Sequence, residues 1–174
     1  MGLGTLHILG VGKMAILKWL DQNIEKMLAS MLLAAIVLLI FSNVIMRYVM
    51  NASLSWGEEL TLWFFVWFVW LAVSYAFQNR EHVRITVLRD LLSERVRLYA
   101  DIFIDLLVLV FLMMLTIECV KLIMLPFVAS QNSVVLGLPI PILYASAPVG
   151  AALSSIRVVQ NLIRTVRTIA AHKT

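Results

Sequence analysis

The sequence predicts an all-α integral membrane protein with four transmembrane helices, on three observations. Of its 174 residues, 62% are hydrophobic and only 14% charged, against about 45–50% and about 25% in an ordinary soluble domain. The mean hydropathy is +0.96. The apolar residues are gathered into four long runs, each near the ~20 residues that cross a bilayer as a helix. A spanning backbone must satisfy its polar groups internally, and separate runs of this length do so as helices rather than as barrel strands. The length leaves no room for a separate soluble domain, so residues 1–174 read as one four-helix membrane domain. A single cysteine excludes an internal disulfide and a cysteine-based zinc site.

Taken in order, residues 1–26 form a tail. Its Lys13, Lys18, Asp21, Glu25 and Lys26, set among Met14, Ile16, Leu17, Trp19 and Leu20, read as an amphipathic segment lying at the membrane surface. The lysines interrupt any apolar core that a secretion signal would need. The first span covers about residues 27–48, uncharged until Arg47 and Tyr48 close it at a water interface. The second covers about 58–79, opened by Glu58 and Glu59, where negative charge suits the positive end of the helix dipole. Ser53 or Ser55 is placed to cap it. A solvated helix start and a partner contact remain equal readings for the two acids. Within this span Trp63, Trp67 and Trp70 follow one face, and Phe64, Phe68 and Tyr75 another. So many rings form a stiff surface for lipid tails or for a partner helix, two readings of equal weight.

Residues 80–97 form a second amphipathic piece, with Val83, Val87, Leu88, Leu91, Leu92 and Val96 on one face. Ser93 is placed to cap the third span, at about 98–125, which carries Asp101, Asp105, Glu118 and Lys121. Glu118 and Lys121 are three residues apart and can pair. Asp101 and Asp105 share a face, with Arg97 and Arg157 as possible cations. Only residues 106–117 separate Asp105 from Glu118, about 18 Å of helix in a hydrocarbon core of about 30 Å. Acids at such depth are functional candidates by default. Structural pairing is nonetheless the preferred reading over a proton or cation relay, because no polar steps join the two ends of that helix. The fourth span, about 140–163, repeats small residues at Ser146, Gly150 and Ser154, and at Ala147, Ala151 and Ser155. That spacing lets helices approach closely and places this span inside an assembly. Pro148 is expected to kink it. Residues 164–174 form a second tail.

Orientation follows from the basic residues. Twelve of the 14 lie in the tails, in the end of the fourth span or in the connector between spans two and three. Both termini and that connector are therefore expected on the cytoplasmic side of a bacterial inner membrane. This placement also reassigns the net charge of +4 from nucleic-acid binding to membrane topology. His7, His82 and His172 are too dispersed for a metal site. Gly10-Val11-Gly12-Lys13 lacks the first glycine and the Ser or Thr of a phosphate loop. Cys119 reads as a buried inert thiol. No cofactor and no enzymatic chemistry are expected.

The stretch Asn51-Ala52-Ser53-Leu54-Ser55-Trp56-Gly57-Glu58-Glu59-Leu60, the aromatic span, and then Arg80-Glu81-His82-Val83-Arg84-Ile85 resemble the small membrane subunit of tripartite ATP-independent periplasmic (TRAP) transporters. The Trp56-Gly57-Glu58-Glu59 opening of span two, His82-Val83 after it, Gly137-Leu138-Pro139 before span four and the Arg47-Tyr48 end of span one carry the likeness, which covers about residues 20–165. Where that family often has an acid a few residues after the histidine, this chain reads Val83-Arg84-Ile85-Thr86, so no role for that acid is carried over. The resemblance implies a subunit that has no transport site of its own. A large elevator-type membrane subunit would hold the substrate and sodium sites, and a periplasmic binding protein would deliver an organic acid of the C4-dicarboxylate or sialic acid type. The small subunit would extend the large one's immobile scaffold, with membrane lipids around it. Arg47, Trp56, Glu58, Glu59, His82, Asp105, Glu118, Lys121, Ser146, Gly150 and Ser154 are the candidate interface or structural residues. The alternative is a self-sufficient homo-oligomeric transporter using Asp105 and Glu118.

Overall fold

The structure, a computed structural model, describes residues 3–78 and 94–171. Its elements are α1 (Leu3–Val49), α2 (Ser55–Gln78), α3 (Glu94–Met124), the single turns α4 (Pro126–Ala129) and α5 (Ile140–Tyr144), and α6 (Ser146–Ala171). Four stretches are long and apolar enough to span: Asn23–Val49, Ser55–Gln78, Tyr99–Met124 and Ile140–Arg167. The all-α, four-span fold class is thus present. α1 has 47 residues and a length of about 70 Å, more than twice the hydrocarbon thickness. It runs without a break from residue 3 through the span. His82, Ser93 and most of the 80–97 amphipathic piece lie outside the described residues, as do the side chains that would make residues 13–22 a surface segment.

The long helices pack in a row, α1 on α2, α2 on α6 and α6 on α3. α1 and α3 are its outer members and make no comparable contact with each other. A closed bundle would pack every helix against two neighbours, so this is an open layer. Burial follows the same order. In the most apolar stretch of each span, 6% of residues are buried in α1 and in α3, 17% in α2 and 39% in α6.

The reason lies in the solvent. Lipid tails solvate a leucine as well as another leucine does, so an apolar surface alone gives helices no reason to associate. Association comes from close fit and from polar groups that lipid cannot satisfy. α6 carries both. Its buried face holds Ser146, Ser154, Arg157, Asn161 and Thr165, while Ile156, Ile163 and Val166 are exposed. The core is correspondingly small: Leu112, Ala151 and Val158, with Trp70, Phe77 and Val108 packed around them.

The turns at one end of the layer, called here the loop end, are specified locally. α1 closes with Asn51 at φ 51°, and the Ala52 N–H donates to the Met46 carbonyl at 3.1 Å. The left-handed turn at Asn51 folds the chain back on the last turn of α1, and asparagine tolerates that conformation. Between α4 and α5 the chain doubles back in a short hairpin. Ser133 N–H donates to the Leu138 carbonyl (2.8 Å) and Ile140 N–H to that of Gln131 (2.9 Å), while Gly137 takes a φ of +67°. At Pro148 the ladder of helical hydrogen bonds is interrupted while the helical path continues: Ala145, one turn earlier, keeps helical dihedrals (φ −62°, ψ −20°), its N–H donates to the Pro141 carbonyl (2.8 Å) and its carbonyl accepts the Val149 N–H (3.2 Å). Pro148 has no N–H to donate to the Tyr144 carbonyl, and α5 and α6 are divided there.

Candidate functional site

Three polar contacts among the described residues join separate elements of the row. At the loop end, Asn43 of α1 reaches across the α1–α2 turn. Its Oδ1 accepts the Leu54 N–H at 3.1 Å, and its Nδ2 donates to Glu58 Oε1 at 3.1 Å. The Leu54 carbonyl in turn accepts the Gly57 and Glu58 N–H groups (2.9 and 3.2 Å). The start of α2 is therefore organised by Asn43 rather than by Ser53 or Ser55, whose side chains make no capping bond. Serine is the usual local cap, but here the cap comes from the neighbouring helix. Sequence reasoning did not single out Asn43. Its signal was a lone amide in an otherwise apolar stretch of a span.

Glu59 makes the second contact. Its Oε2 accepts the N–H groups of Val135 (3.0 Å) and Leu136 (2.9 Å). A carboxylate taking two successive backbone donors is a charge-assisted clamp. It ties α2 to the hairpin between α4 and α5, 76 residues away in sequence. Trp56 and Glu58 beside it are exposed, whereas Glu59 is half-buried.

The third contact lies toward the other end. Arg157 of α6 donates through Nε to Glu25 Oε1 of α1 at 2.9 Å, with side-chain exposures of 6% and 3%. Its Nη1 donates to Gln160 Oε1 at 3.0 Å. One turn on, Asn161 Nδ2 donates to the Phe77 carbonyl at 2.8 Å, satisfying an acceptor in the last turn of α2. The sequence placed Glu25 on the polar face of a surface segment. The structure buries it, because Arg157 offers a guanidinium that lipid could not solvate. Asp101 and Asp105, read as candidates for Arg157, are half-buried on α3, and both take part in an interaction.

Between these contacts the fit is steric. A Cβ added at Gly150 would lie 2.5 Å from Trp70 Cβ and 3.0 Å from its Cγ. Ser154 Oγ donates to the Gly150 carbonyl at 2.8 Å, and Ser146 Oγ to that of Leu143 at 2.7 Å. These hydroxyls close on their own helix and leave its surface flat. The small stripe of α6 is thus occupied by this chain's own α2. The tryptophan face of α2, left open between lipid and a partner helix, turns inward: Trp63 is buried and Trp70 lies on Gly150.

On the outer helix α3, Lys121 Nζ donates to Glu118 Oε1 at 2.6 Å, and both side chains are 65% exposed. Arg47 lies at the opposite edge of the row, in a groove between α1 and α2. Cys119 is a half-buried free thiol. Among the described residues no group of His, Cys, Asp and Glu has the clustering that holds a metal ion. The arrangement is mechanical. Its inter-element polar contacts tie α1 to α2, α2 to the hairpin and to α6, and α1 to α6 across the row.

Residues 36–168 match the family model of the DctQ component of tripartite ATP-independent periplasmic transporters. The chain belongs to the DctQ family. It is 32% identical over 160 residues to an isethionate TRAP transporter permease protein DctMQ of Oleidesulfovibrio alaskensis, a match covering 87% of this chain and 25% of the relative. It is 36% identical over 80 residues to the C4-dicarboxylate TRAP transporter small permease protein DctQ of Vibrio cholerae, covering 45% and 34%. To the sialic acid TRAP transporter small permease protein SiaQ of the same species it is 28% identical over 98 residues, covering 56% and 57%. Each match spans less than two thirds of the relative's own length. DctQ membership and the four apolar helices make this a multi-pass membrane protein.

Proposed function

We propose that this DctQ-family chain is the small membrane subunit of a sodium-coupled TRAP transporter that imports an organic acid, and that it widens the fixed scaffold of a large membrane subunit without a transport site of its own. The observation that carries the reading is the contrast in the row of helices. Arg157 and Asn161 of α6 and Glu59 of α2 are engaged with other elements of the chain, while the most apolar stretches of α1 and α3 are only 6% buried. Such a layer adds immobile width to a neighbour. The DctMQ relative supports it, since the matched segment is one quarter of that permease chain. The relatives' names cover isethionate, a C4-dicarboxylate and sialic acid, all organic anions, and the substrate is taken to be of that class. A periplasmic binding protein would deliver it. Both termini lie in the cytoplasm on this reading. Trp56, Glu118 and Lys121 are exposed and remain available to partners, whereas Glu59, Gly150 and Ser154 act within the chain.

Co-purification from the native membrane in a mild detergent tests this. A stoichiometric large polytopic subunit is expected, with no substrate uptake by the small chain alone in liposomes. A homo-oligomer without that partner would overturn the reading and make Asp105 and Glu118 the leading transport residues.

A further inference from the structure

We propose that the groove between α1 and α2 at the loop end is a binding site for one zwitterionic phospholipid with a primary-amine headgroup, of the phosphatidylethanolamine type. The groove is open, with a volume of about 410 Å³. Its mouth carries Arg47 in the last turn of α1 and Glu58 in the first turn of α2. Both are exposed, yet they form no salt bridge with each other. The Arg47 guanidinium has no ion-pair partner among the described residues. Glu58 is held in place by Asn43 on Oε1 alone, which leaves Oε2 for a further donor. Below the mouth the lining turns apolar, at Val44, Leu62 and Ile40.

A phospholipid matches this order of chemistry. Its phosphate suits Arg47, whose fork of donors binds phosphate oxygens through two parallel bonds. Its ammonium suits the open Glu58 oxygen. From Arg47 back to Ile40 is seven residues of helix, about 10 Å, which accommodates the glycerol and the upper part of one acyl chain. Tyr48, exposed at the mouth, is an amphipathic ring of the kind found at headgroup depth. The opposite charges also discriminate. Glu58 repels a headgroup whose only charge is negative, and a quaternary ammonium has no N–H to give it. The site does not depend on the transporter reading.

The test uses the full chain in nanodiscs of phosphatidylethanolamine and phosphatidylglycerol in equal amounts, with retained lipid counted by native mass spectrometry. One phosphatidylethanolamine is expected to stay with the wild-type chain in preference to phosphatidylglycerol. Arg47→Ala should cut its retention about tenfold, the loss of a single charge-assisted contact. Glu58→Gln keeps an acceptor for Asn43 but removes the charge, and should equalise the two lipids. Neither change touches a buried contact, so both variants should fold. Equal retention of phosphatidylglycerol by the wild type, or unchanged retention by Arg47→Ala, would overturn the proposal. So would a photocrosslinker at Leu62 that, in native membranes, joins to protein instead of lipid.

Discussion

α6 and α3 pack against each other in the same layer and use their side chains in opposite ways. α3 is apolar nearly all round, with a mean hydropathy of 2.5 in its span against 1.5 for the segment ending in α6, and only 6% of its most apolar stretch is buried. α6 is largely inside out by the standard of a soluble helix, with serines, an arginine, an asparagine and a threonine facing protein beside Ala151 and Val158, while Val149, Ile156, Val159, Ile163 and Val166 are exposed. In water the hydrophobic face seeks the core. In lipid the hydrophobic face is already solvated, and the polar and small residues seek the core. Hydropathy therefore marks α3 as a span more strongly than α6, while α6 organises the fold.

The comparison can be broken most directly at Arg157. Arg157→Ala strands the buried Glu25 carboxylate, and loss of one partner of a buried pair typically costs about 3–5 kcal/mol. Thermal unfolding of the purified chain should show a large loss of stability. The exchanged pair, Glu25→Arg with Arg157→Glu, should recover part of it. Gly150→Ala comes next. Its new methyl has no room beside Trp70, and overpacking of this kind costs about 1–3 kcal/mol. Gly150→Leu should be worse and should lower the yield of folded protein. If Gly150→Leu is as stable as wild type, α2 and α6 do not meet as closely as the structure has them.

Asn161→Ala removes the donor to the Phe77 carbonyl and should cost about 1 kcal/mol, read as faster hydrogen exchange in the last turn of α2. The smallest effect belongs to α3. Glu118→Gln with Lys121→Gln removes a pair that is 65% exposed on both sides, and solvent screening keeps such pairs below about 1 kcal/mol. The isolated chain should barely respond. On the proposed subunit reading, the same double substitution should lower recovery of a large partner, which would assign this end of α3 to the interface. Loss of stability in the isolated chain without loss of partner would place the pair's role inside the fold instead.

Much of this was legible in the chain. The spans are visible as apolar runs, and the i, i+3 spacing of Glu118 and Lys121 announces a pair that the structure holds at 2.6 Å. The stripe through Ser146, Gly150 and Ser154 announces a close approach. The partner of that approach was not legible. The tryptophan face could have met lipid, another subunit or α6, and only the packing chose α6. Asn43 was invisible as a cap because its targets, Leu54 and Glu58, lie across a turn and offer no local spacing rule.

What the sequence determines by itself is where the chain can cross a membrane and where it must turn, because transfer into lipid and local closures such as those at Asn51 and Gly137 depend on residues close together in the chain. What only the tertiary structure decides is the order of the row and the polar contacts that hold it. Glu25 and Arg157 are 132 residues apart, and Glu59 and Val135 are 76 apart. No periodicity links such pairs. They meet because a buried charge or an orphan N–H in a membrane must be satisfied by protein, and the layer α1–α2–α6–α3 brings those partners within reach.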